Sequence, residues 1–493
     1  MDYPHETSGL ADSQPLEQHG VTMRLGLFFD GTGNNRINTQ IAADCGAQLA
    51  ANKNTHIPGC YGHHNNPDSS YANDFSNVAR LYELYYQRPV AKETAHGWQV
   101  VKPIYISGVG TTSGKGDSVW AGLTLGRGST GVLAKVASAI RKLERELLGF
   151  AASNPGCVID ALEFDLFGFS RGAAAARHFA NEVLKQAKGA LGPVLGQRHI
   201  PWASGFAWDN GSVRLKVIGL FDTVAAVGGL KDLGNVRDAH NPQINLYLPP
   251  GAAQQVLHLV AGDEQRRNFV LNSVAPDWPR EIVLPGAHSD IGGGYHLQMR
   301  EKVLLTRPRR SVVSNDTPCH ASIAWKETQA ELQAMDGSQW LDPLDLNASL
   351  RIECHERHPR AGSSKVGVKA VVAAVSMERR VYGHLSRVHL RVMHALACAE
   401  GVPLEPVPET AVLSLTPELQ VIAQKLIAYA LGGPYSLTEH EQRLLRRRYI
   451  HRSAHWNAAI GGKTSMSTAL FVHAPQADGR ARHPNRGQPG YPF

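Results

Sequence analysis

The sequence predicts an α/β fold, an α/β-hydrolase-like mostly parallel sheet with helices on both faces and a mainly helical C-terminal cap region. Three observations predict it. Five apolar runs of β-forming residues each empty into a glycine-bearing turn, helical stretches alternate with them, and after about residue 298 the pattern turns helical. With 493 residues, of which 43% are hydrophobic and 19% charged, the chain can bury a large core, and its 48 glycines and 28 prolines supply many turns.

A polar stretch, residues 1–22, is expected to be a flexible leader. The first strand follows in "MRLGLFFDGTGNN" from Met23, and the second in "VVKPIYISGVGTTSG" (100–114). "STGVLAKVASAIRKLERELLGF" (129–150) places apolar residues at helical spacing. "VIDALEFDLFGFSRG" (158–172) is a strand that runs into the alanine-rich helix "RGAAAARHFANEVLKQA" (171–187). "SVRLKVIGLFDTVAAVG" (212–228) and "REIVLPGAHSDIGGGY" (280–295) complete a catalytic domain over 23–298. Beyond it, 321–335, 384–401 and 417–431 read as helices of a cap or membrane-docking region, 299–473, that contributes to the hydrolase core. A Gly/Pro-rich flexible tail is expected over 474–493.

Composition narrows the function. Cys45, Cys60, Cys157, Cys319, Cys354 and Cys398 are far apart with no C-x-x-C pair, which indicates neither a zinc knuckle nor a dense disulfide framework and leaves the redox compartment open. The N-terminus lacks the basic start and apolar centre of a secretory signal, and no apolar run approaches a membrane span. The expectation is a protein made in the cytoplasm and exported, if at all, without a signal peptide. A net charge of +7 suits an anionic partner, but the excess sits in scattered patches, "RPRR" (307–310) and "LLRRRYIHR" (444–452), that read as solvated faces; no nucleic-acid partner is expected.

The segment Gly168-Phe169-Ser170-Arg171-Gly172 is a G-x-S-x-G, informative because a strand precedes it and a helix follows. Flanking glycines let the backbone turn sharply, which would project Ser170 from the carboxyl edge of the sheet as a nucleophile and turn the Arg171 amide towards an oxyanion. A serine hydroxyl needs a histidine base and an acid to orient it. Asp222, where an apolar strand stops, and His288, in a glycine-rich loop, supply them in the α/β-hydrolase order of nucleophile, acid, base. In the rival assignment Asp290 is the acid and His451 or His455 the base. The second oxyanion amide is expected at Gly31 or Thr32 in "FDGTGNN", with Asp30 fixing that loop by accepting backbone hydrogen bonds. "GRGSTG" (126–131) follows an unconvincing strand, and "GVGTTSGKG" has Gly116 where Ser or Thr should follow the lysine, so nucleotide binding is discounted. His63, His64 and "CHERH" (354–358) lack the second half of a metal site and read as surface residues; no metal or other cofactor is expected.

The ordered motifs "FFDGTGNN", "GVGT", "GFSRGAAAAR", "LFDTVAAVG" and "PGAHSDIGGGY" resemble the α/β-hydrolase domain of type VI secretion lipase effectors, antibacterial phospholipases of Gram-negative bacteria. The resemblance implies a triad of Ser170, Asp222 and His288 and, as substrate, phospholipid acyl esters in the membrane of a target bacterium, reached in the periplasm. It also implies carriage by a secretion spike protein and a cognate immunity protein in the producing cell. Two alternatives stand beside it: a soluble carboxylesterase acting on a small or glycan-linked ester, and a delivery or binding module with an inactive hydrolase core.

Overall fold

The computed structural model describes residues 18–50, 70–71, 73–113, 115, 131–225, 243–359, 367–457 and 473–487. Its centre is a seven-stranded sheet. In chain order the strands are β1 (His19–Phe29), β2 (Arg88–Thr94), β3 (Gly97–Ile106), β4 (Cys157–Phe169), β5 (Val213–Phe221), β6 (Gln255–Ala261), the two-residue β7 (Leu271–Asn272), which lies outside this sheet, and β8 (Glu281–Leu284). Across the sheet the order is β2-β3-β1-β4-β5-β6-β8, parallel except for the β2–β3 hairpin. The chain leaves β1 for β3 on one side and returns to β4 on the other, so a topological switch point lies at β1, where α/β sheets bind ligands beyond their carboxyl ends.

The helices in the first half are α1 (Arg36–Ala50), α2 (Asn77–Leu84), α3 (Val132–Leu148) and α4 (Phe150–Ser153), followed by α5 (Arg171–Leu184) and α6 (Gly192–Leu195). One face of the sheet packs Leu25, Leu27 and Leu166 against Val136 and Leu143 of α3 and Phe179 of α5. The alanines of α5 let it lie close to the strands. The opposite face packs Phe28, Phe167 and Phe221 against α2 and against α9 (Leu385–Ala399), which enters from far along the chain. Gly219 makes room there: a Cβ would lie 2.5 Å from the Phe167 ring. Helix α9 is thus a covering layer of the seven-stranded sheet, backed by α10 (Pro417–Ala430).

Three boundaries differ from the sequence reading. Strand β1 begins at His19, within the stretch expected as leader. Between the short α7 (His288–Gly292) and α9, the region expected to be mainly helical holds, besides α8 (Ile323–Gln333), a four-stranded sheet of β9 (Met299–Leu304), β10 (Arg309–Ser314), β11 (Ser349–Arg357) and β12 (Val368–Val381). The long β12 is its spine, pairing antiparallel with β11 on one edge and with β10 and β9 in succession on the other. Buried Ala324, Val371 and Ala373 form its small core, and a Cys319–Cys354 disulfide ties the turn before α8 to β11. Finally, residues 474–487, expected as part of the flexible tail, form with residue 473 a strap whose β13 (Arg482–His483) pairs with β7.

The basic patches are partly neutralised. Arg309 pairs with Glu327 and Glu331, while in α11 (Glu439–Arg448) Arg443 pairs with Glu439 and Arg448 with Asp342. Among the described residues no helix is long and apolar enough to cross a membrane.

Candidate active site

Ser170 lies between β4 and α5 in a conformation rare for a residue with a Cβ, φ 56° and ψ −123°. Its neighbours explain why the turn tolerates this. A Cβ at Gly172 would stand 2.2 Å from the Phe29 carbonyl oxygen, and one at Gly168 would stand 2.6 Å from Ala173 Cα, so the helix can start against the end of β1 only with glycine at both places. The Ser170 amide donates to the Phe221 carbonyl at 3.1 Å, which ties the elbow to the end of β5. Ser170 as a whole is 5% exposed.

Asp222 is the first residue after β5 and is also left-handed, at φ 43°. Its amide donates to the Leu259 carbonyl at 2.7 Å, and the amide of the next residue, Thr223, donates to Nε2 of the buried His258 at 3.1 Å. That bond puts the His258 proton on Nδ1, 3.1 Å from Glu281 Oε2. The Asp222 carboxylate, fully buried, is saturated. Oδ1 accepts from the Ala261 amide at 3.0 Å and from Arg480 Nη1 at 2.7 Å. Oδ2 accepts from Arg480 Nη2 at 2.9 Å and meets His288 Nδ1 at 2.5 Å. Burial alone would raise the Asp222 pKa, but the Arg480 charge and the His288 bond outweigh it and hold the carboxyl well below the usual range.

His288 opens α7, a single turn whose N-terminus is closed by the Asp290 carboxylate accepting from the Ala287 amide at 2.9 Å. Its ring lies between Phe169, with centroids 4.7 Å apart, and Phe269, edge-on at 4.9 Å. Burial lowers its pKa below that of an ordinary histidine; the Asp222 bond and charge oppose this, and the Arg266 cation adds to it. Arg266 is itself locked in a buried bidentate pair with Glu264, whose Oε2 also accepts from the His288 amide at 3.3 Å.

The loop after β1 closes the same edge of the sheet. Asp30 accepts from Ser76 Oγ and Tyr105 OH, both at 2.5 Å, and from the Gly31 amide at 2.7 Å, the loop-fixing role expected of it. That last bond engages the Gly31 amide within its own loop. Arg171 Nε reaches across to Thr32 Oγ1 at 2.7 Å and joins this loop to the serine elbow. The "GVGT" turn supports it: a Cβ at Gly108 would overlap the Gly31 carbonyl oxygen.

The rival acid and base also meet. His451 Nδ1 lies 2.7 Å from Asp290 Oδ1, its amide donates to Oδ2 at 3.0 Å, and its ring stacks on Tyr295. His455 instead adjoins His473, with ring centroids 4.8 Å apart. The two acid–histidine pairs differ in their ties to the serine. Phe169 and Phe221, which touch or adjoin Ser170, flank only the Asp222–His288 pair. His355 and His358 are exposed, as expected, whereas His63, His64 and "GRGST" fall outside the described residues. Among the described residues no cluster of side chains could hold a metal ion. Sequence reasoning missed Arg480, Glu264 and Arg266. Arg480 carried no signal, since it stands in a stretch with the composition of a loose tail.

Residues 200–315, which span Asp222 and His288, match the family model for the catalytic domain of type VI secretion Tle1-like phospholipase effectors. The solved structure of a Tle1 effector bound to the VgrG spike of the type VI secretion system superposes with a TM-score of 0.72 at 29% identity, covering 98% of both chains. The chain resembles the Tle1 phospholipase effectors. Because the similarity to Tle1 spans the whole chain, it takes in the four-stranded sheet and the strap as well as the hydrolase sheet, and it supports a phospholipase effector and an ester hydrolase. An uncharacterized protein from Pseudomonas aeruginosa aligns at 20% identity over 86% of this chain and 52% of its own, with a TM-score of 0.35. No curated protein matches the chain significantly.

Proposed function

We propose that the protein is a serine phospholipase of the A type, cleaving acyl esters of membrane phospholipids through an acyl-enzyme, with Ser170 as nucleophile, His288 as general base and Asp222 as its orienting acid. The observation that carries this reading is the His288 Nδ1–Asp222 Oδ2 bond beside the strained Ser170 elbow. With Nδ1–H donated to the carboxylate, Nε2 is left as the acceptor that takes the Ser170 proton and returns it to the leaving alcohol. The Arg171 and Thr32 amides are the proposed oxyanion donors, Arg171 at the start of a helix whose dipole favours developing negative charge.

The partners follow from the Tle1 likeness. We assign delivery by a secretion spike protein, action on the phospholipid membrane from the periplasm of a target bacterium, and neutralisation by a cognate immunity protein in the producer. The Cys319–Cys354 bridge supports action in an oxidising compartment. The test uses purified protein on vesicles of mixed phospholipids labelled separately in the two acyl chains, beside short-chain soluble esters. Release of labelled fatty acid well above soluble-ester turnover is expected; turnover of the soluble esters alone would indicate a carboxylesterase.

A further inference from the structure

The strap at residues 473–487 brings an arginine to the back of the proposed triad. It runs beside 265–275 and is fixed along its length: the Arg267 amide donates to the Ala474 carbonyl, Leu271 to Ala481, Ser273 to His483, and Asn485 to Ala275. At its far end Asn485 Oδ1 accepts from the buried Arg177 of α5 at 2.9 Å. Gly479, at φ 78°, turns the strap so that Arg480 points inward, with 9% of its side chain exposed.

We propose that Arg480 is a positioning residue of the active site, fixing the Asp222 carboxylate at the angle at which Oδ2 meets His288. This rests on the triad reading above. Three of its donors converge on the base: Nη1 and Nη2 take one carboxylate oxygen each, at 2.7 and 2.9 Å, and Nε donates to the Phe269 carbonyl at 2.7 Å. The Phe269 ring packs edge-on against the His288 imidazole, so the same guanidinium holds both the hydrogen-bond partner of the base and one of its walls. A planar fork gives each carboxylate oxygen its own parallel N–H bond and leaves Nε for the Phe269 carbonyl, whereas lysine offers a single point of charge.

Charge adds a second consequence. The charged groups facing His288 are Asp222, with Arg480 behind it, and the Glu264–Arg266 pair from the loop after β6; His455 and His473 lie beyond Arg266. Each acid is thereby matched by one arginine. Removing the Arg480 cation leaves Asp222 uncompensated, which favours the imidazolium and moves the pH below which the base is lost upwards.

The experiment compares Arg480→Lys and Arg480→Ala in the full chain with wild type and Ser170→Ala, on phospholipid vesicles across pH, with thermal unfolding alongside. Both arginine variants are expected to lose about 10- to 100-fold in kcat, the range of a lost hydrogen bond to a charged group, with KM little changed. The acid limb of kcat/KM should move up in Arg480→Ala and stay in place in Arg480→Lys, and added guanidinium ion should restore part of the Arg480→Ala turnover. If Arg480→Ala does not fold, a reduced kcat in a folded Arg480→Lys carries the proposal. Folded variants with the wild-type kcat and acid limb, while Ser170→Ala is inactive, would overturn it. Turnover retained in Ser170→Ala would instead overturn the triad reading itself.

Discussion

Asp222 shows how much a single position can carry. Its place at the end of an apolar strand was legible because the run "VIGLF" stops there, and its buried carboxylate has four hydrogen-bond donors in the structure. Replacing it with asparagine keeps the size but presents the wrong partner to Nδ1 and leaves the buried Arg480 cation without its counter-charge, so kcat should fall by about 10⁴-fold and the melting temperature should drop as well. In the proposed triad His288 sets the pH profile. Burial lowers the His288 pKa, so the base stays neutral to a pH below the ordinary histidine value of about 6.5, and the acid limb of kcat/KM is expected below that value. A limb above it would contradict the placement. Asp290 and His451, adjacent in space yet far apart in sequence, make the rival pair look like a second base in the sequence. Since Asp290 closes α7 and His451 is buried on Tyr295, His451→Ala is expected to keep turnover within a few-fold while losing roughly 3–5 kcal/mol of stability, as when a buried pair is broken.

At the level of elements, glycine spacing was the clearest message. Gly168 and Gly172 are required by the contact between α5 and β1, so Gly172→Ala, with its Cβ 2.2 Å from a carbonyl oxygen, should cost at least about 1–3 kcal/mol and displace the elbow, measurable as lost folding in denaturant titration. The elements that stayed hidden have physical reasons. In β6 the run "QVLHLVA" is interrupted by His258, which looks polar until Glu281 and Thr223 satisfy it. The sheet of β9 to β12 has a core of few residues, and β9, β10 and β11 mix arginine or glutamate with their apolar positions, so only β12, with the run "VVAAV", carries a clear apolar signal. Its disulfide helps to offset that small core. For the sequence separation of 35 the chain-entropy gain is about 4 kcal/mol, so Cys354→Ser should lower the unfolding midpoint of this part of the chain, and a reductant should do the same to wild type.

For the molecule as a whole, the hydrolase sheet cannot be separated from the last third of the chain. Helix α9 covers one face, and the strap contacts β7 and Asp222, the proposed triad acid, so long-range placement completes a candidate site whose strand ends alone were legible. Buried carboxylates tie this assembly to pH. Burial would raise the Glu264 pKa, but Arg266 holds it at about 2, below the unfolded value of about 4.3. Its contribution to stability is therefore present above the unfolded pKa and lost as pH falls through about 2, and thermal midpoints should decline over that window. The central claim, that Ser170, Asp222 and His288 form one catalytic unit, is tested most directly by fatty-acid release from mixed phospholipid vesicles. The proteins to compare are wild type, Ser170→Ala, Asp222→Ala, His288→Ala and His451→Ala. Loss in the three triad variants with turnover retained in His451→Ala is the predicted result, whereas turnover retained in His288→Ala and lost in His451→Ala would move the base to the Asp290 pair and contradict the account.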